Sequence, residues 1–168
     1  MKQAEAYTVS IGVLAVIDTY LTATVIPVPV WVTFIAWASF FVVGGGGRQG
    51  FFRSAASNLT GLVISSLTLL AISTSNEAAW IAAILVGIGS AAMVQAAKVP
   101  FLSVLPAIVF GFASTVGTTA VMGTPITTVG IGNPALTAAA ALLIGGVFGL
   151  VSERLGDMLT TVPEKATA

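Results

Sequence analysis

Tyr7 to Pro29 reads YTVSIGVLAVIDTYLTATVIPVP. From Tyr7 to Ile26 the stretch carries one charge, Asp18, and then meets Pro27-Val28-Pro29, a turn too short and stiff to be anything but a reversal. A helix needs about 20 mostly apolar residues to cross roughly 30 Å of hydrocarbon. This stretch therefore predicts one membrane span followed at once by another, and the rest of the chain continues the pattern.

Composition agrees. Of 168 residues, 57% are hydrophobic and only 7% charged, against about 25% charged in soluble domains. The mean hydropathy is +1.05. Six basic and six acidic side chains are too few to coat a water-facing surface. That excludes an ordinary cytosolic enzyme, a nucleic-acid binder and a disordered chain. With no Cys and no His there is no disulfide framework, no thiolate nucleophile and no ready general base. No carboxylate cluster is spaced to hold a metal, so neither enzyme activity nor a cofactor is expected. The predicted fold class is an all-α integral membrane protein, one domain embedded in the lipid bilayer.

Prolines, glycines and the few charges divide the chain into six transmembrane segments. They are A (7–26), B (30–43), C (54–73), D (78–97), E (100–117) and F (134–151), with 152–168 as a cytoplasmic tail. B and E are expected to be short or broken: B stops at the run Gly44 to Gly47, and E contains Pro106. Irregular backbone at membrane depth is tolerated only inside protein or beside a wet cavity, so B and E are expected nearest the interior. Six crossings place Lys2, Arg48, Arg53, Lys98, Arg154 and Lys165 on one side. By the positive-inside rule that side, with both termini, is cytoplasmic. Glu5, Glu153, Asp157 and Glu164 fall on the same side, and Glu77 lies outside. Trp31 and Trp80 fall at the outer interface, and Tyr7, Phe51 and Phe52 at the inner one, as aromatic belts require. Asp18 interrupts the first apolar stretch and no A-x-A-like site follows, so segment A is expected to be a span and not a signal peptide.

A faint repeat runs through the chain. A shift of 73 lays Val32–Gly44 over Leu105–Gly117, matching Ile35 to Ile108, Trp37 to Phe110 and Gly44 to Gly117; a slightly larger shift puts Asn58 on Asn133. This groups the segments as A-B-C and D-E-F. Three is odd, so the halves would face opposite ways, a 3+3 inverted repeat with a solute path where the halves meet.

Asp18 is the one charge inside a span, where an acid costs several kcal/mol unless neutral, paired or facing water. Two readings stand: a proton, cation or solute site facing a wet vestibule, or a structural acid bonded to a neighbouring polar group. Thr22, one turn on, extends a small polar stripe. Phe34, Trp37 and Phe110 on the interior segments read as an apolar constriction or as core filler. Asn58, Pro106 and Asn133 complete the expected solute path. The glycine run reads as a close-packed turn in preference to an anion nest, and Gly145 and Gly149 form a GxxxG pair suited to close helix contact.

Trp31-x-x-Phe34-x-x-Trp37-x-Ser39-Phe40 before the glycine run, with Gln95-Ala-Ala-Lys98 and Phe101-x-Ser-x-x-Pro106-x-x-x-Phe110-Gly111 later, resembles a family of small bacterial inner-membrane proteins carried as a domain of unknown function. That family is taken to include the low-carbon-dioxide-inducible membrane channel of photosynthetic cells. The resemblance spans residues 8 to 152. It implies the bacterial inner membrane, a homotrimer as the homo-oligomer, and a narrow path in each subunit for a small neutral solute or gas. Asp18 has no counterpart in the family pattern. The leading expectation is a channel or facilitator for carbon dioxide, ammonia, urea or a small amide. The alternatives are a proton- or cation-coupled transporter using Asp18, and an accessory or scaffold membrane subunit.

Overall fold

The computed structural model describes residues 1–75 and 78–161; Glu77, Glu164 and Lys165 lie outside the described residues. Among the described residues six α-helices follow one another: α1 (Gln3–Thr24), α2 (Val30–Val43), α3 (Gly47–Ser73), α4 (Ala79–Ala96), α5 (Leu105–Met122) and α6 (Pro134–Leu159), with a 3-10 turn at Pro100–Leu102 before α5. Among the described residues there is no β-strand. Five of the helices are long and apolar enough to cross a membrane, and α2 is a shorter apolar helix of 14 residues. This is the architecture of a multi-pass membrane protein.

Several boundaries differ from the sequence expectation, each for a local reason. Segment E is broken at Ser103 and Val104, between the 3-10 turn and α5, and not at Pro106. Pro106 sits in the first turn of α5, where its missing N–H has no helical partner to lose, and the helix runs to Met122. Gly123, at φ 59° in the left-handed region, ends it, not Gly117. Gly117 instead lies against the Trp31 ring of α2. Segment C starts early, at Gly47, so Arg48 and Arg53 ride on the first turns of α3 instead of in a loop. Segment F continues past Val151 to Leu159. Glu153 and Arg154 end its apolar stretch but not its hydrogen bonding, because the last turns of a helix can stand beyond the hydrocarbon.

Close packing is set by glycine. A Cβ on Gly61 of α3 would strike the backbone of α5 at Ile108 and Phe112, and one on Gly111 of α5 would strike the backbone of α3 at Asn58. On the other side of the bundle, a Cβ on Gly145 of α6 would strike the Thr33 carbonyl of α2, and one on Gly149 the Phe40 side chain. The GxxxG pair therefore serves packing within the chain, α6 against α2. Two apolar clusters fill the space beside these crossings: Val32, Ala36, Ala141 and Leu142 in one, Met93, Ile108 and Phe112 in the other. α2 and α5 each bury seven residues, whereas α4 buries only Gly89 and Met93. B and E are interior, as expected.

One end of the bundle gathers the segments that carry the cations. The Tyr7 hydroxyl donates to Asp157 Oδ1 at 2.9 Å, and Arg53 reaches Ser103 Oγ at 3.4 Å. Gly44, Gly45, Gly46 and Gly47 all have positive φ (64°, 87°, 58° and 52°), which turns their backbone toward α6. The Gly47 N–H donates to Glu153 Oε2 at 2.5 Å. A carboxylate there also meets the positive end of the α3 dipole, and this capping is why α3 begins seven residues before Ser54. The glycine run thus offers one backbone N–H, that of Gly47, to the chain's own acid.

Candidate functional site

The bundle interior is unusually rich in small polar side chains, and three groups of them are built around α2. The first joins α1 to α2. Asp18 is fully buried, and its Oδ2 lies 2.5 Å from Thr33 Oγ1. The same Thr33 hydroxyl lies 2.7 Å from the Val30 carbonyl. Among the described residues, Asp18 Oδ1 is buried with no partner. Thr22 does not extend this group: its hydroxyl turns back to the Asp18 backbone carbonyl at 2.8 Å.

The second ties α1 and α2 to α6 through Ser152. The Trp37 Nε1–H donates to Ser152 Oγ at 2.8 Å, Ser152 Oγ donates to the Gly149 carbonyl, and the Ser10 hydroxyl donates to the Ser152 carbonyl at 2.7 Å. The Trp37 ring stacks on Phe148, with centroids 5.5 Å apart. A tryptophan this deep needs a partner for its N–H, and Ser152 supplies it.

The third lies between α2 and α3. Ser54 Oγ donates to Ser39 Oγ at 3.0 Å, Ser39 Oγ to Asn58 Oδ1 at 3.0 Å, and Asn58 Nδ2 reaches back to Ser54 at 3.5 Å. All three residues are buried, so this small ring satisfies polar groups that lipid or an apolar core would leave stranded. Across the bundle on α5, Ser114 and Thr118 are fully buried, and among the described residues their hydroxyls have no partner. They stand one helical turn apart. Thr115 and Thr119 bond the carbonyl four residues back, at 2.9 Å each, but Ser114 and Thr118 do not.

The expected path residues are therefore not gathered in one place. Trp37 belongs to the Ser152 group, and the 40%-exposed Phe34 leans on it from outside, centroids 5.8 Å apart. These two rings line a groove of about 190 Å³ between α1 and α2, with Ile11, Ala38 and Phe41. Phe110 lies on α5 and is not among the groove residues, so the three aromatics do not form one constriction. Asn133 is the N-cap of α6: its Oδ1 accepts from the Ala135 N–H, and its Nδ2 holds the carbonyls of Ile126 and Thr128 in the preceding loop. Asn58 is well inside α3, so the two asparagines occupy unlike positions. Pro106 starts α5. Thr33, Ser39, Ser54, Ser114, Thr118 and Ser152 were missed. The available signal was the shared Ala-Ser step, Trp37-Ala38-Ser39 and Phe112-Ala113-Ser114, which a shift of 73 places out of step.

Residues 8–157 match the family model described as Protein of unknown function (DUF1097), and the chain belongs to that family. No curated protein and no solved structure matches it.

Proposed function

We propose that this family member is a channel or facilitator for a small neutral solute, of the class of carbon dioxide, ammonia, urea or a small amide. The observation that carries the reading is the chemistry of the interior. Among the described residues, the buried polar side chains are hydroxyls and one amide, with Asp18 the one ionisable group and no buried cation. Hydroxyls and amides exchange hydrogen bonds with neutral guests without demanding a counter-charge, and the unpartnered Ser114 and Thr118 hydroxyls have that capacity free.

The reading includes six crossings arranged as a 3+3 inverted repeat, and burial supports it. The seven buried residues of α2 are 32, 33, 36, 37, 39, 40 and 43; an offset of 75 turns each into a buried residue of α5. The seven buried residues of α3, from Gly50 to Thr68, likewise become buried residues of α6 at an offset of 84. The packing follows suit. Gly61 on Ile108 becomes, under the same offsets, Gly145 on Thr33. The larger offset for the third helix reflects the longer α5 and its longer following loop. Within this reading the middle helices are related by an offset of 75 in place of 73.

The bacterial inner membrane, cytoplasmic termini and a homotrimer are part of the proposal; the gathering of Lys2, Arg53 and Arg154 segments at one bundle end supports the orientation. The test is solute-driven shrinkage and swelling of liposomes holding the purified protein. Faster volume change than in empty vesicles for one of these solutes is expected; no excess flux for any of them refutes the channel. Urea neither gains nor loses a proton near neutral pH, so an interior pH change accompanying urea entry would favour the coupled transporter instead.

A further inference from the structure

We propose that Asp18 and Thr33 form a proton-binding site inside the bundle, in which the Asp18 carboxyl carries the proton in this conformation. The inference goes beyond the channel reading and does not depend on it. It rests on counting protons. Thr33 Oγ1 makes two short oxygen–oxygen approaches, 2.5 Å to Asp18 Oδ2 and 2.7 Å to the Val30 carbonyl. Two oxygens at such distances repel unless a hydrogen lies between them. A threonine hydroxyl has one hydrogen and the carbonyl has none. The second must come from the carboxyl: Asp18 Oδ2–H donates to Thr33 Oγ1, and Thr33 donates to Val30.

The surroundings agree with a neutral acid. Asp18 is fully buried. The helices packed on α1 are α2 and α6. α2 has no charged residue, and the charges of α6 are Glu153, Arg154 and Asp157, at the end that meets Tyr7. On α1 itself Lys2 and Glu5 lie thirteen or more residues away, about 20 Å along the helix, and Tyr20 points outward. An ionised Oδ1 without any partner would be stranded at a cost of several kcal/mol. As the carbonyl oxygen of an acid it is merely an open acceptor, available to an N–H or O–H that reaches it. At the position matching Thr33 in the other half stands Ile108, so the site exists on one side of the repeat only.

The chain contains two aspartates, Asp18 and Asp157. That makes infrared spectroscopy of protein carrying 13C-carboxyl aspartate decisive. In reconstituted membranes at pH 7 the label should give a carboxylic-acid C=O stretch. The acid band should persist in Asp157→Asn, where Asp18 is the remaining aspartate, and vanish in Asp18→Asn. Thr33→Val should move the band to higher frequency, because the acid loses its acceptor. Asp18→Asn, whose amide N–H can replace the acid O–H toward Thr33, should melt at the wild-type temperature. Carboxylate bands alone in Asp157→Asn overturn the proposal, and so does an acid band that Thr33→Val leaves unmoved. These results are independent of solute flux, so failure of the channel reading and failure of this one are told apart.

Discussion

Gly61→Ala is the sharpest test of the packing. The added methyl carbon would stand 2.7 Å from the Phe112 nitrogen and 2.9 Å from the Ile108 carbonyl carbon, and closer still to the Ile108 oxygen. Ordinary contact begins near 3.4 Å. Backbone cannot swing aside as a side chain does, so α3 and α5 must separate by more than half an ångström along the whole seam. Overpacking of this kind costs about 1–3 kcal/mol, and a rigid backbone obstacle puts Gly61 at the upper end. A loss of about 3 kcal/mol is roughly a hundredfold in the folding equilibrium. For a chain of this size it lowers the melting temperature by roughly 10 °C. The assay is thermal melting of helical circular dichroism in detergent micelles. Gly87→Ala is the control, since nothing lies within 4 Å of its added Cβ; alanine's better helix propensity should leave it unchanged or slightly more stable. Gly145→Ala, meeting the Thr33 carbonyl at the matching crossing, should cost about as much as Gly61→Ala. If Gly61→Ala melts with Gly87→Ala, the close crossing of α3 and α5 is wrong.

Glu153→Gln weakens a charged acceptor at the Gly47 N–H and the start of α3, at a cost of about 1 kcal/mol, and should speed hydrogen exchange at that amide while leaving the α4 amides unchanged. Asn58→Ala leaves the Ser39 hydroxyl without its acceptor and Ser54 without the amide N–H in the α2–α3 seam, and should cost about 1–3 kcal/mol in the same melting assay. Adding Ser39→Ala and Ser54→Ala should recover much of that loss, because no hydroxyl of the ring is then left unpaired; a triple variant less stable than Asn58→Ala refutes the ring.

Local chemistry alone marks this chain as a bundle of membrane helices and places the middle of each one. Apolar stretches of span length, Pro27-Val28-Pro29, and the four glycines are local facts, and local physics reads them: they bound segment B at 30–43, and α2 has those bounds. Errors came at ends where tertiary contacts intervene. Glu153 reaches across from α6 to start α3 early, and no local pattern announces a partner more than a hundred residues away. Pro106 looked like a break because its place within the helix was unknown.

The polar interior shows the same division. Asp18 stood out in the sequence because charge at that depth is costly wherever it points. Its partner did not, since one threonine among many bonds the carboxyl, while Thr22, nearer in sequence, turns to its own backbone. Likewise Ser39, Ser54 and Asn58 are ordinary letters until α2 and α3 bring them within 3.5 Å of one another. Helix formation and burial in lipid are decided by periodicity and hydropathy, which a short window carries. Which hydroxyl faces which is decided by how glycines let helices cross, and that depends on residues from both halves of the chain at once.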